Sequence, residues 1–240
     1  MASLAATFGR GAMTNGWTDV ANSDVVLVMG GNPAENHPVG FRFAMEAKKI
    51  RKAKLVCIDP RFNRTAAVSD YYTQIRAGSD IAFLGGLIRY SLEQGLYHED
   101  YVRLHTNAPF LVREGFDFAD GLFSGWNAQE ESYDKSTWQY ELDSRRYAKT
   151  DPKLKHPRSV FQLMKKHFSR YTPEKVASIC GCTAEEFLGA AEIICSSGKP
   201  DRRGTVLYAL GWTQHTHSVQ LIHAAAMLQL LLGNIGVPGG

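Results

Sequence analysis

The sequence is poor in several things at once. Its 240 residues include four cysteines, Cys57, Cys180, Cys182 and Cys195, too few and too clustered for a disulfide framework in a chain this long. No stretch approaches the ~18 apolar residues of a membrane helix; the nearest, Ala224 to Leu232, is short and carries Gln229, so no direct membrane span is expected. Met1 to Asn15 has no charged segment leading into an apolar run and does not read as a secretory signal. Twenty-seven Lys and Arg against 24 Asp and Glu leave +3, short of the dense basic footprint of a dedicated nucleic-acid binder. No nucleic-acid partner is expected, and an anionic ligand must be met locally. A Walker A loop, a G-x-S-x-G elbow, internal repeats and low-complexity tracts are all missing.

What is present is an ordinary globular balance, 44% hydrophobic and 21% charged. The first third alternates strand and helix. Asp24 to Met29 is a β-branched apolar run ending at Gly30-Gly31-Asn32, the pattern of a buried strand entering a tight turn. A loop is predicted over Pro33 to Pro38. Val39 to Lys52 reads as a helix with Phe43, Met45 to Ala47 and Ile50 inward and a basic outer face. Lys54 to Ile58 is a second strand ending in Asp59-Pro60-Arg61. Asp80 to Glu93 carries Ile81, Leu84, Ile88 and Leu92 at helical spacing. Strand, helix, strand implies a right-handed crossover and a parallel sheet.

Residues 107–158 are aromatic and charged without a period, an irregular insertion within a single domain over 1–240. Helices resume at Val160 to Phe168. Thr172-Pro173 offers an N-cap with Pro at the first helical position, and Thr183 with Glu186 fits a capping box before Phe187 to Cys195. Thr205 to Leu210 is a third strand, running into Gly211-Trp212-Thr213-Gln214, and an apolar helix from about His217 to Leu232 follows. The fold class is α/β: a mostly parallel sheet with flanking helices, Rossmann-like and dinucleotide-binding, with a helical or irregular excursion.

In an open parallel sheet ligands bind beyond the carboxyl ends of the strands, so the three turns should converge. Gly30 and Gly31 let backbone N–H groups approach a phosphate, and Asn32 adds an amide donor; without the full G-x-G-x-x-G pattern, a plain turn is equally consistent. Asp59, 28 residues after Gly31, is placed for ribose hydroxyls or for capping a turn. Arg61 and Arg64 could meet phosphate, stack on a base or be solvated surface. Asp80 either caps its helix or accepts from the N–H edge of a guanine-like base. His37 is a polar loop histidine near the first turn. His217 and His223 fall on different helix faces, and with Cys57 inside a strand only Cys180, Cys182 and Cys195 remain, so no metal site is assigned.

Six segments carry a more specific signal: residues 7–15 (TFGRGAMTN), 28–40 (VMGGNPAENHPVG), 58–65 (IDPRFNRT), 76–80 (RAGSD), 208–215 (YALGWTQH) and 230–240 (LLLGNIGVPGG). Together, in order and over the whole chain, they resemble the major subunits of respiratory formate dehydrogenases, which are molybdopterin oxidoreductases. The resemblance implies a bis-molybdopterin guanine dinucleotide cofactor with molybdenum or tungsten. It puts Gly30, Gly31 and Asn32 by the pyrophosphate, Asp59 and Arg61 by the guanosine, Asp80 by the guanine edge, and Gly211, Trp212, Thr213 and Gln214 near the pterin.

It also implies that the family's selenocysteine or cysteine, with its histidine, lies just upstream of Ala2, with the four-cysteine iron–sulfur motif further upstream and an arginine beyond Gly240. No catalytic residue is then assigned to this chain. A selenocysteine codon taken as a stop would give such a start at Met1. The reading is therefore a central piece of a formate dehydrogenase major subunit, inactive alone. Its parent would take formate as substrate, have an iron–sulfur beta subunit as partner and be periplasmic. A stand-alone guanine-nucleotide-binding module without catalysis is the rival, and a nicotinamide-dependent dehydrogenase is disfavoured by the broken glycine pattern.

Overall fold

The computed structural model describes residues 2–119 and 121–240. In chain order the elements are α1 (Ala2–Phe8), a 3₁₀ turn (Trp17–Asn22), β1 (Val25–Met29), α2 (Pro33–Asn36), α3 (Pro38–Arg51), β2 (Lys54–Asp59), α4 (Arg64–Ala67), β3 (Tyr71–Gln74), α5 (Asp80–Glu93) and α6 (Glu99–His105). Then follow four two-residue strands, β4 (Phe118–Ala119), β5 (Leu122–Phe123), β6 (Trp126–Asn127) and β7 (Ser132–Tyr133). The chain continues through α7 (Val160–Phe168), α8 (Pro173–Cys180), α9 (Ala184–Cys195), β8 (Gly204–Leu207), α10 (Leu210–Thr213) and α11 (Ser218–Leu231). Two compact units result: Met1–His98 with Tyr171–Gly240, and Glu99–Arg170.

The first unit is built on a four-stranded parallel sheet in the order β3-β2-β1-β8. All five residues of β1 are buried, as expected for a parallel strand covered on both faces. Side chains alternate between faces: Val26, Val28 and Leu55 pack with Phe41 and Ala44 of α3 and with Val20, while α9 packs against β1, β2 and β3. α5 lies against α8, α9 and α11, with Phe83 edge-on to Phe187 at 5.1 Å. Thr172 caps α8 with Pro173 in its first turn, and Thr183 and Glu186 form the expected reciprocal capping box on α9.

Several sequence-based expectations are corrected. The inward face of α3 is Phe41, Ala44 and Ala47, whereas Ile50 is 68% exposed and Met45 is also exposed; the small alanines let the helix lie close to the sheet, and that fixes its phase. The predicted loop 33–38 contains α2, started by Pro33. β3, without an alternating apolar pattern, escapes prediction. β8 stops at Leu207 rather than Leu210, because the chain turns at Ala209, whose N–H donates to Gly30 O at 3.0 Å. The apolar helix α11 lies in the core: Leu221, Ile222, Ala224, Ala225, Ala226, Leu228 and Leu231 are all buried, and α1 and α5 cover it.

The second unit holds the excursion predicted over 107–158. It carries α6, α7, two antiparallel hairpins (Phe118↔Phe123 and Trp126↔Tyr133) and isolated bridges such as Leu111↔Ser159. The Trp138 ring links the hairpins, contacting Phe123 of one and Tyr133 of the other, each at 5.2 Å. Ser159 caps α7 through the Gln162 N–H.

Candidate dinucleotide site

Because β1, β2 and β8 run parallel and in register (Met29↔Ile58, Val28↔Leu207), their carboxyl ends deliver Gly30-Gly31-Asn32, Asp59-Pro60-Arg61 and Tyr208–Gly211 to one edge of the sheet. Gly30, Gly31, Asn32, Asp59, Arg61, Asp80 and Gly211 line one cavity of about 320 Å³, with Asn63, Gly78 and His215. Thr213 lines a second cavity of about 400 Å³, which shares Gly31 and Asn32 and is walled by Asn15, Trp17, His37 and Tyr208. Gln214 is exposed and lines neither.

Trp212 is also in neither cavity wall; it is fully buried. Its indole stacks on Tyr208 with centroids 5.0 Å apart and lies over Gly30, where a Cβ would come within 2.6 Å of the indole Cγ. Gly30 has φ +73°, a conformation that suits glycine. The Trp212 Nε1–H donates to Asp80 Oδ1 at 3.0 Å. The turns after β1 and β8 and the start of α5 are thus held together from behind by a ring that lines neither cavity.

Asp80, 4% exposed, is the first residue of α5, and Ser79 rather than Asp80 occupies the N-cap position. Its side chain accepts from Trp212 rather than from the first turn of its own helix, so helix capping does not explain the carboxylate. Asp59 is half-buried and accepts from the Arg61 N–H at 2.8 Å. Burial pushes its carboxyl above the ordinary range, the Asp80 charge adding to this while Arg61 and Asn63 oppose it.

Asn32 is anchored at the cavity wall: its Oδ1 accepts from Thr65 Oγ1 at 2.7 Å, and its side chain also bonds Glu35, holding that carboxyl below its usual range. Arg61 is exposed at the rim; Arg64 lies 3.9 Å from Glu35.

His37 stacks on Trp17 at 5.7 Å and shares a 2.6 Å hydrogen bond with Asn36 Oδ1. His215 and His217 lie 5.4 Å apart, and His223 pairs with Ser3 O. Among the described residues no group of three His, Cys, Asp or Glu side chains comes together. All four cysteines are free; burial pushes Cys57 up to about 12 and Cys180 to about 11, and raises Cys195 and Cys182.

Sequence reasoning missed Asn63, Trp17 and Tyr208 as cavity or second-cavity residues. Asn63 had a readable signal: it precedes Arg64-Thr65-Ala66 and caps α4 through the Ala66 N–H. Two carboxylates that accept N–H or O–H donors, a guanidinium at the rim, and Gly78, where a Cβ would find no atom within 4 Å, suit a nucleoside carrying phosphate.

Residues 2–240 match the molybdopterin oxidoreductase family, and the chain belongs to that family. Membership implies a molybdopterin cofactor. The chain is 57% identical over its whole length to the nitrate-inducible formate dehydrogenase major subunit of Escherichia coli K12 and 54% identical to the formate dehydrogenase subunit alpha of Megalodesulfovibrio gigas. It spans 24% of each of those proteins. Among solved structures, acetylene hydratase from Pelobacter acetylenicus shares the fold with a TM-score of 0.60 over 92% of this chain and 24% of that one, at 19% identity.

Proposed function

We propose that this chain forms one guanosine cradle of a bis-molybdopterin guanine dinucleotide cofactor, in an enzyme that oxidises formate to carbon dioxide and passes the electrons to iron–sulfur clusters. The observation that carries it is the convergence of Gly30, Gly31, Asp59, Arg61 and Asp80 on one cavity at the carboxyl edge of the sheet, together with 54–57% identity to formate dehydrogenase subunits. When bound, the cofactor's molybdenum or tungsten supplies the two-electron chemistry. The residues of this chain bind and orient.

Gly30 and Gly31 bring backbone close to the pyrophosphate, and Arg61 at the rim balances its charge. Asp59 accepts from ribose hydroxyls and Asp80 from the N–H edge of guanine. Thr213, in the second cavity, belongs to the pterin side. The whole enzyme's partners would be formate and an iron–sulfur beta subunit, and its compartment the periplasm, by likeness to the formate dehydrogenases above.

Asp80→Ala in the whole enzyme tests the assignment. Loss of one charge-assisted hydrogen bond to the base should lower cofactor content about tenfold. Unchanged metal and pterin content would remove Asp80 from the site.

A further inference from the structure

Trp212 is fully buried and lines neither of the two cavities at this edge, yet its one polar atom is spent on Asp80 Oδ1 at 3.0 Å. Asp80 is itself 4% exposed and lines the 320 Å³ cavity. A carboxylate on a helix's first residue can swing through several rotamers; here the indole donor holds one oxygen and so sets where the other is presented. The ring cannot slide, because Gly30 lies beneath it without room for a Cβ and Tyr208 stacks on it. Gly211, its chain neighbour, is wedged against the Gly30 backbone.

We infer that Trp212 is a positioning residue for base recognition: its Nε1–H fixes the Asp80 carboxylate so that Oδ2 faces the two N–H donors of a guanine edge. The inference rests on the guanosine reading of the cavity and adds to it a specificity element that does not touch the ligand. It follows that base selection is tied to the turn after β8, since the same indole closes over Gly30. Recognition of the base and placement of the pyrophosphate loop are then one mechanical unit.

The test is a double-mutant cycle in the whole enzyme, reading the guanosine monophosphate released by acid per protein chain, which is independent of turnover. Asp80→Asn should lower it about tenfold and Trp212→Phe about fivefold, read on folded protein well below the melting transition, since the smaller ring also costs core packing. Because Trp212 acts through Asp80, the double variant should match Asp80→Asn alone. A double variant about fiftyfold down, the product of the two, would make Trp212 an independent structural element and overturn the inference. So would full nucleotide content in Trp212→Phe beside a depleted Asp80→Asn, which leaves the guanosine reading standing. Full content in Asp80→Asn would overturn both. Where Trp212→Phe fails to fold, benzothienylalanine at position 212 keeps the ring's shape and removes only the N–H. Nucleotide loss in that folded variant supports the inference, and unfolding of it would show that the N–H serves the fold rather than Asp80.

Discussion

Gly211 stands against the backbone of Gly30: a Cβ added to Gly211 would lie 2.7 Å from the Gly30 carbonyl oxygen and 2.9 Å from its Cα. Two turns that lie 181 residues apart in sequence therefore meet with no side chain between them, and Ala209 N–H to Gly30 O stitches the contact.

Gly211→Ala should force these backbones apart and cost about 1 to 3 kcal/mol, the usual price of overpacking. Gly30→Ala should cost more, since it adds strain at positive φ to a clash with the indole. Urea denaturation of the two variants checks the order; equal midpoints with wild type would show that the turns separate freely.

Asp59 gives a pH signature. Burial raises its carboxyl in the folded state, so its contribution to stability is fully present below the ordinary carboxylate range and is lost as pH rises through the raised folded value. Asp59→Asn, always neutral, should melt about 2 °C higher than wild type at pH 7, and the difference should vanish near pH ~3, where both forms are uncharged. A gain that persists at low pH would trace to packing instead.

The four thiols should separate by accessibility. Cys57, Cys180 and Cys195 are buried, and their thiols are pushed up, while Cys182 is partly exposed. At pH 7.5 a disulfide reagent should titrate Cys182 first, and the other three only on unfolding. Fast reaction of Cys57 in the native protein would mean that β2 opens.

Removing the Thr183 hydroxyl tests the cap on α9. Thr183→Ala loses the bond to the Glu186 N–H at 3.1 Å and should destabilise by about 1 kcal/mol. Thr183→Ser should restore most of it, as read by the denaturation midpoint.

Expressed by itself in a host that makes the cofactor, the 240-residue chain should not oxidise formate with an artificial dye. It offers one guanosine cradle of a cofactor with two dinucleotides, and three of its four thiols are buried. Stoichiometric molybdenum or tungsten with turnover would contradict this.

What was legible in the sequence follows from local chemistry. β1, β2, α5, α7 and the caps at Thr172 and Thr183 are each specified by a contiguous pattern, apolar runs or N-cap residues at fixed offsets, so reading them needs no knowledge of neighbours. The convergence of Gly31, Asp59 and Gly211 followed from parallel topology alone. What could not be read was tertiary. The phase of α3 depends on how closely Ala44 and Ala47 let it approach the sheet, and β3 is a strand because β2 offers it an edge. Trp212 looks like a wall residue in sequence; only its burial over Gly30 and its bond to Asp80 reveal it as a support.

The place of β1 between β2 and β8 has a consequence for synthesis. β1, β2 and β3 all lie within Val25–Gln74 and can pair as soon as they leave the ribosome, but the other edge of β1 waits for Gly204–Leu207. At about 5–20 residues per second, that wait is on the order of ten seconds. Throughout it, a five-residue apolar strand presents unpaired backbone groups to its surroundings, an invitation to edge-to-edge association. A nascent chain stalled before Gly204 should therefore be a chaperone client, and one released after Leu231, with β8 paired and α11 seated on α5, should not.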